Sequence, residues 1–127
     1  MFKPKTEKEI RCPLEYGLDI FGGKWKPRII CLLEDVSSMR YSEIREKLNG
    51  ITDTILSASL KKMVEDGIIN RVQYDEIPQR VEYSLTDKGI SILPILGSIC
   101  QWSGDYFAEK HQISFAQCKS CIFLSRD

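Results

Sequence analysis

The chain carries no excess of either charge, no long apolar run, a single histidine and an odd number of cysteines. Its 18 Lys and Arg are cancelled by 18 Asp and Glu. Net charge therefore gives no sign of a nucleic-acid partner, and a DNA-binding surface would have to come from sorting charges onto one face. No stretch approaches the roughly 20 apolar residues that span a bilayer, which excludes a membrane-spanning helix on sequence grounds. The N-terminal Met1-Phe2-Lys3-Pro4-Lys5 lacks the apolar centre of a signal peptide, so cytoplasmic residence is expected. Five cysteines (Cys12, Cys31, Cys100, Cys118 and Cys121) in a cytoplasmic chain argue against a disulfide framework. The one histidine, His111, falls in a charged helix tail and suggests a surface residue. No metal and no cofactor are expected. With 127 residues and 43% hydrophobic content, one domain with a real core is expected rather than two.

What is present is organised around Ile51 to Gly67. Thr52 is an N-cap residue type, Asp53 sits where a helix dipole is positive, and Gly67 supplies a left-handed stop, so the segment brackets itself as one helix. Leu56, Leu60 and Met63/Val64 recur at helical spacing and form one narrow buried stripe. The remaining faces carry Thr54, Ser57, Ala58, Lys61 and Lys62, small, hydroxylated or basic side chains that allow close approach to a base edge or phosphate. Upstream, Tyr41, Ile44 and Leu48 mark a short helix from Ser42 to about Leu48, joined through Asn49-Gly50. Two short helices joined by a glycine turn read as a helix-turn-helix. Downstream, Ile68 to Tyr74 and Arg80 to Leu85 flank Asp75-Glu76-Ile77-Pro78-Gln79, a hairpin with Arg80 at its mouth. The spacing predicts a mainly α fold with a small β-hairpin, an α+β winged helix-turn-helix, and a short strand at Met39-Arg40-Tyr41 beside the wing.

The flanks are less specific. Residues 1–11 suggest a flexible arm, 12–112 the domain and 113–127 a tail. Pro13 suits a first helical position with Cys12 near the N-cap, and Leu14, Leu18 and Phe21 supply an apolar stripe. A thiol there, beside Arg11, sits where a thiolate is stabilised; the alternative is a cysteine without chemistry. Gly22-Gly23 ends that helix, and Trp25, Ile29 and Leu32/Leu33 pattern the next, with Trp25 as core anchor and Cys31 as packing. Lys24, Lys26 and Arg28 lie on its wetter side, where they meet phosphate or water. Thr86 and Asp87 begin a long helix whose stripe of Ile92, Leu96, Ile99 and Tyr106 is widened by Leu93, Cys100, Trp102 and Phe107. That is more than a small domain hides, which implies packing on another subunit. Pro94 leaves one helix or two equally open. Cys118-Lys119-Ser120-Cys121 is half of a four-ligand zinc site, which Cys12, Cys100, His111 or a symmetry mate would have to complete, or a dithiol spacing, with an unremarkable reduced tail as the simpler reading.

Cys12 to Tyr16, Gly22 to Pro27, Arg40 to Ile44, Gly50-Ile51-Thr52, Leu56 to Leu60, Glu65 to Ile69, Pro78 to Thr86 and Gly89 together resemble the HxlR-type winged helix-turn-helix transcriptional regulators, relatives of the MarR group. The resemblance covers roughly Cys12 to Trp102. It implies a homodimer built from the terminal helices that binds an inverted-repeat operator. It also implies a reading helix from Thr52 to Glu65, a wing from Tyr74 to Arg80, and a match between Cys12 and a cysteine with which some members sense electrophiles or oxidants. The partners expected are double-stranded DNA, a second copy of the chain, and an oxidant or small-molecule inducer. On this basis Asp53, Thr54, Ser57 and Ala58 are expected at base edges or thymine methyls, and Thr52, the cap, at the DNA-binding end of the same helix. Lys61, Lys62, Lys24 and Arg40 are expected at phosphates, and Arg80 at phosphate or the minor groove. Two rivals stand beside this: a winged helix used for protein contacts, favoured by the zero net charge, and a thiol redox protein using Cys118 and Cys121. No grouping of nucleophile, base and pocket points to an enzyme.

Overall fold

A computed structural model of the chain describes residues 9–111, with side chains as far as Phe107. The elements run α1 (Pro13–Phe21), α2 (Lys26–Leu32), β1 (Met39–Arg40), α3 (Tyr41–Lys47), α4 (Asp53–Glu65), β2 (Ile69–Tyr74), β3 (Arg80–Leu85) and α5 (Asp87–His111). The three strands form one antiparallel sheet in the order β1-β3-β2. Met39 pairs with Tyr83, and the β2–β3 register runs from Ile69 opposite Leu85 to Tyr74 opposite Arg80. This is the winged helix-turn-helix that the periodicity predicts, with β1 closing the sheet beside the wing.

Local chemistry explains the boundaries. Thr52 Oγ1 accepts from the Ile55 N–H at 3.2 Å and so caps α4. At the other end Gly67 takes a φ of 76°, its N–H donates to the Val64 carbonyl, and the Ile68 N–H donates to the Met63 carbonyl. Two crossed bonds of this kind stop a helix by satisfying its last carbonyls. Arg40 begins α3, where its N–H donates to Glu43 Oε1 at 2.8 Å. Thr86 caps α5, its hydroxyl accepting from the Gly89 N–H and sharing its one proton between the carbonyls of Gly67 and Ile68. One side chain thereby ties the start of α5 to the turn that ends α4.

The core gathers one face of every helix against the sheet. Ile29 and Ile30 of α2, Ile44 of α3, and Leu56 and Met63 of α4 have no exposed surface; Tyr83, Ile92 and Leu96 complete it from β3 and α5. Trp25 is half-buried against this cluster, and Cys31 packs on it as expected. Two sequence expectations need restating. The α1 stripe divides: Leu14 and Leu18 are 68% and 54% exposed, whereas Phe21 packs against the core beside Ile20, the residue α1 buries. Periodicity identified residues on one face but not what that face meets. The second concerns α5, which is one continuous helix through Pro94. Pro94 is exposed, so the Ile90 carbonyl it leaves without a helical donor can meet water, while Ile92 and Leu96 hold the flanking turns in the core.

Candidate DNA-binding surface

Opposite its buried stripe, α4 presents Thr54, Ser57, Ala58 and Lys61, all exposed. The core side is Leu56, Leu60 and Met63, at 0–2% exposure. Burial on one side fixes the rotation of the helix, and the small polar residues face outward as a consequence. Thr52 belongs to the same end through its cap, and Asp53 occupies the first helical position.

The flank of α4 nearest α3 carries a polar cluster. Tyr41 Oη donates to Asp53 Oδ1 at 2.8 Å and lies 3.4 Å from Ser57 Oγ, while Arg45 Nε reaches the same Asp53 oxygen at 2.7 Å. Burial and the neighbouring Asp53 raise the Tyr41 phenol above its ordinary pKa, against the opposing pull of Ser57 and Arg45, so it stays a donor. Neither Tyr41 nor Arg45 was singled out from sequence as a site residue. Tyr41 had been assigned to an apolar stripe, and the Arg45–Asp53 pair crosses the turn, where local patterns carry no signal. The helix-turn-helix spacing was the one clue that placed them together.

The opposite flank faces the α1–α2 turn. Ala58, Ser59 and Lys62 lie across an open groove of about 300 Å³ from Gly22 to Lys26. Lys62 does not reach out from the open face: its Nζ lies 2.8 Å from Asp66 Oδ2, and that bond raises its pKa. Lys26 donates to the Asp19 carbonyl at 2.7 Å, and burial together with the facing Lys62 lowers it. Lys24 is exposed, 4.9 Å from the Trp25 ring centroid, and Arg28 stands at the same distance from that ring. Arg40 is exposed on β1.

On the wing, Arg80 is matched within its own hairpin. Its guanidinium lies 2.9 Å from Glu76 and 2.7 Å from Glu82, and stacks 3.7 Å from the centre of the Tyr74 ring. Glu82 also accepts from Ser38 Oγ, and that bond, with Arg80, holds its carboxyl below the ordinary value. Ile77 at the wing tip is 99% exposed. Cys12 is exposed at the N-cap of α1, while the Arg11 cation beside it pairs with Glu15 at 2.9 Å. Among the described residues no group of His, Cys, Asp and Glu could hold a metal ion. Cys118, Cys121 and the His111 side chain lie outside those residues.

The model of the HxlR-like helix-turn-helix matches residues 20–111. The chain belongs to this family. An HTH-type transcriptional regulator of Methanothermobacter thermautotrophicus is 41% identical over 100 residues, covering 79% of this chain and 76% of its own. Among solved structures, the redox regulator HypR in its reduced form has a TM-score of 0.73 at 32% identity, covering 80% of this chain and all of that one. A MarR-family regulator from Porphyromonas gingivalis has a TM-score of 0.69 at 35% identity, over 81% and 95% of the two chains. As an HxlR-like protein the chain is a transcriptional regulator of the helix-turn-helix type, with a winged helix like those of MarR-type regulators. Among the described residues no helix is long and apolar enough to cross a membrane.

Proposed function

We propose that the chain acts as a homodimer on an inverted-repeat operator, its two α4 helices entering successive major grooves about 34 Å apart. One observation carries this: α4 is locked into the core on one side and leaves Thr54, Ser57, Ala58 and Lys61 open on the other. Thr54, Ser57 and Ala58 meet base edges, while Lys61, Lys24 and Arg40 neutralise phosphates. Lys62 and Arg80 join only by exchanging their own carboxylates for phosphate. The dimer forms through α1 and α5, which expose Leu14, Leu18, Ile99, Trp102 and Tyr106, a surface too apolar for a solitary chain. The test is retardation of duplexes selected from a random pool. Lys61→Ala weakens binding to all sequences and flattens its salt dependence, whereas Ser57→Ala changes which sequence is retained. Binding unaffected by both changes would reassign the helix.

A redox signal is supported by the exposure of Cys12 at the start of α1 and by the likeness to a solved redox regulator. Oxidation or alkylation of Cys12 at this dimer-forming helix alters the spacing of the two reading helices. Loss of operator release by oxidant in Cys12→Ser is the expected result; unchanged release would remove Cys12 from the mechanism.

A further inference from the structure

An aspartate offered to DNA faces two objections: phosphates repel it, and a free carboxylate has no fixed orientation. Both are met at Asp53. Arg45 neutralises it at 2.7 Å, and Tyr41 pins the same oxygen, Oδ1, at 2.8 Å, from a phenol anchored at the start of α3. Two donors converge on one oxygen, and among the described residues Oδ2 has no protein partner, on a side chain that is 67% exposed. The direction of the chain of bonds is also set. Tyr41 gives its single proton to Asp53, so across the 3.4 Å contact Ser57 is the donor and Tyr41 the acceptor. With its proton turned inward, Ser57 Oγ faces the open side of α4 as an acceptor.

We infer that Asp53 and Ser57 form an acceptor pair that selects a base bearing an exocyclic amino group in the major groove, cytosine through N4 or adenine through N6, with Tyr41 and Arg45 as positioning residues. Guanine O6 and thymine O4 put an acceptor where cytosine and adenine carry the amino group, and these bases are rejected because acceptors would then face each other across the buried interface. This rests on α4 being the reading helix and adds which bases its first turn prefers.

The experiment is duplex selection from a random pool with full-length wild type, Asp53→Asn and Tyr41→Phe, all checked for helical content. Wild type enriches cytosine or adenine at one position of each half-site, with a discrimination of about tenfold against guanine. Asp53→Asn, which adds a donor while keeping the shape, admits guanine or thymine at that position and leaves the other positions unchanged. Tyr41→Phe relaxes the same position without altering the salt dependence of binding, which a merely structural role would not do. Wild-type and Asp53→Asn pools with the same base at every position would overturn the inference while leaving DNA binding intact. A wild type that retains no duplex would overturn DNA binding itself.

Discussion

Arg80 Nη1 lies 2.7 Å from Glu82 Oε2, so the cation at the mouth of the wing is held by its own strand. Glu76 completes the clamp from the loop at 2.9 Å. Only the carboxylate that is easier to displace needs to leave for Arg80 to reach a phosphate, and that is Glu76, 49% exposed against 18% for Glu82. Glu76→Gln is expected to tighten duplex binding at low salt and to steepen its salt dependence by up to about one ion. Salt-titrated fluorescence anisotropy measures this, and an unchanged slope would keep Arg80 off the DNA.

The same clamp makes the wing sensitive to acid. Glu82 has its carboxyl lowered by the Ser38 hydrogen bond and by Arg80. A lowered carboxyl contributes stability that is complete above its ordinary pKa and is lost as pH falls through the lowered one. The urea midpoint of wild type should therefore exceed that of Glu82→Gln at neutral pH, and the gap should close on going from about pH 5 into the acid range. A gap that does not depend on pH would mean that Glu82 acts by packing alone.

The junction of α4, β2 and α5 leaves no room at Gly89. A Cβ there would collide with the Ile68 carbonyl oxygen, which already accepts from the Thr86 N–H and hydroxyl. Gly89→Ala should cost about 1–3 kcal/mol in urea unfolding. Leu56→Ala, at a fully buried position, should cost about 2–5 kcal/mol. Thr54→Ala, on the open face of the same helix, should stay within about 0.5 kcal/mol.

Trp102 and Tyr106 pack with ring centroids 5.2 Å apart and planes tilted by 43° on the exposed side of α5, at 67% and 63% exposure. If a second copy covers them, Trp102→Glu should give monomers at micromolar concentration in sedimentation velocity while the fold survives, since Trp102 contributes nothing to the chain's own core. A wild type that sediments as a monomer would remove the twofold arrangement.

The parts legible in the sequence were those with local causes. Thr52 and Gly67 announced both ends of α4, the spacing of Leu56, Leu60 and Met63 gave its buried side, and alternation around Tyr83 gave the strand. The parts that were not legible depend on choices among several partners in space. Arg45 finds Asp53 across a turn, Arg80 settles between Glu76 and Glu82, and Lys62 folds back to Asp66 instead of standing free. The Arg45–Asp53 pair has no local period, whereas Lys62 and Asp66 stand at the i,i+4 spacing of a helical ion pair, a signal that the reading of Lys62 as a phosphate contact passed over. For Leu14 and Leu18 the apolar face was visible in advance, whereas its exposure depends on how α1 packs through Ile20.

Hydroxyl-radical footprinting on a selected duplex tests the central claim most directly, because it maps where protein covers DNA. Two protected patches with centres about one helical turn apart, both lost in Lys61→Ala at raised salt, are expected. A single patch, or protection indifferent to changes on the open face of α4, would contradict a paired reading helix.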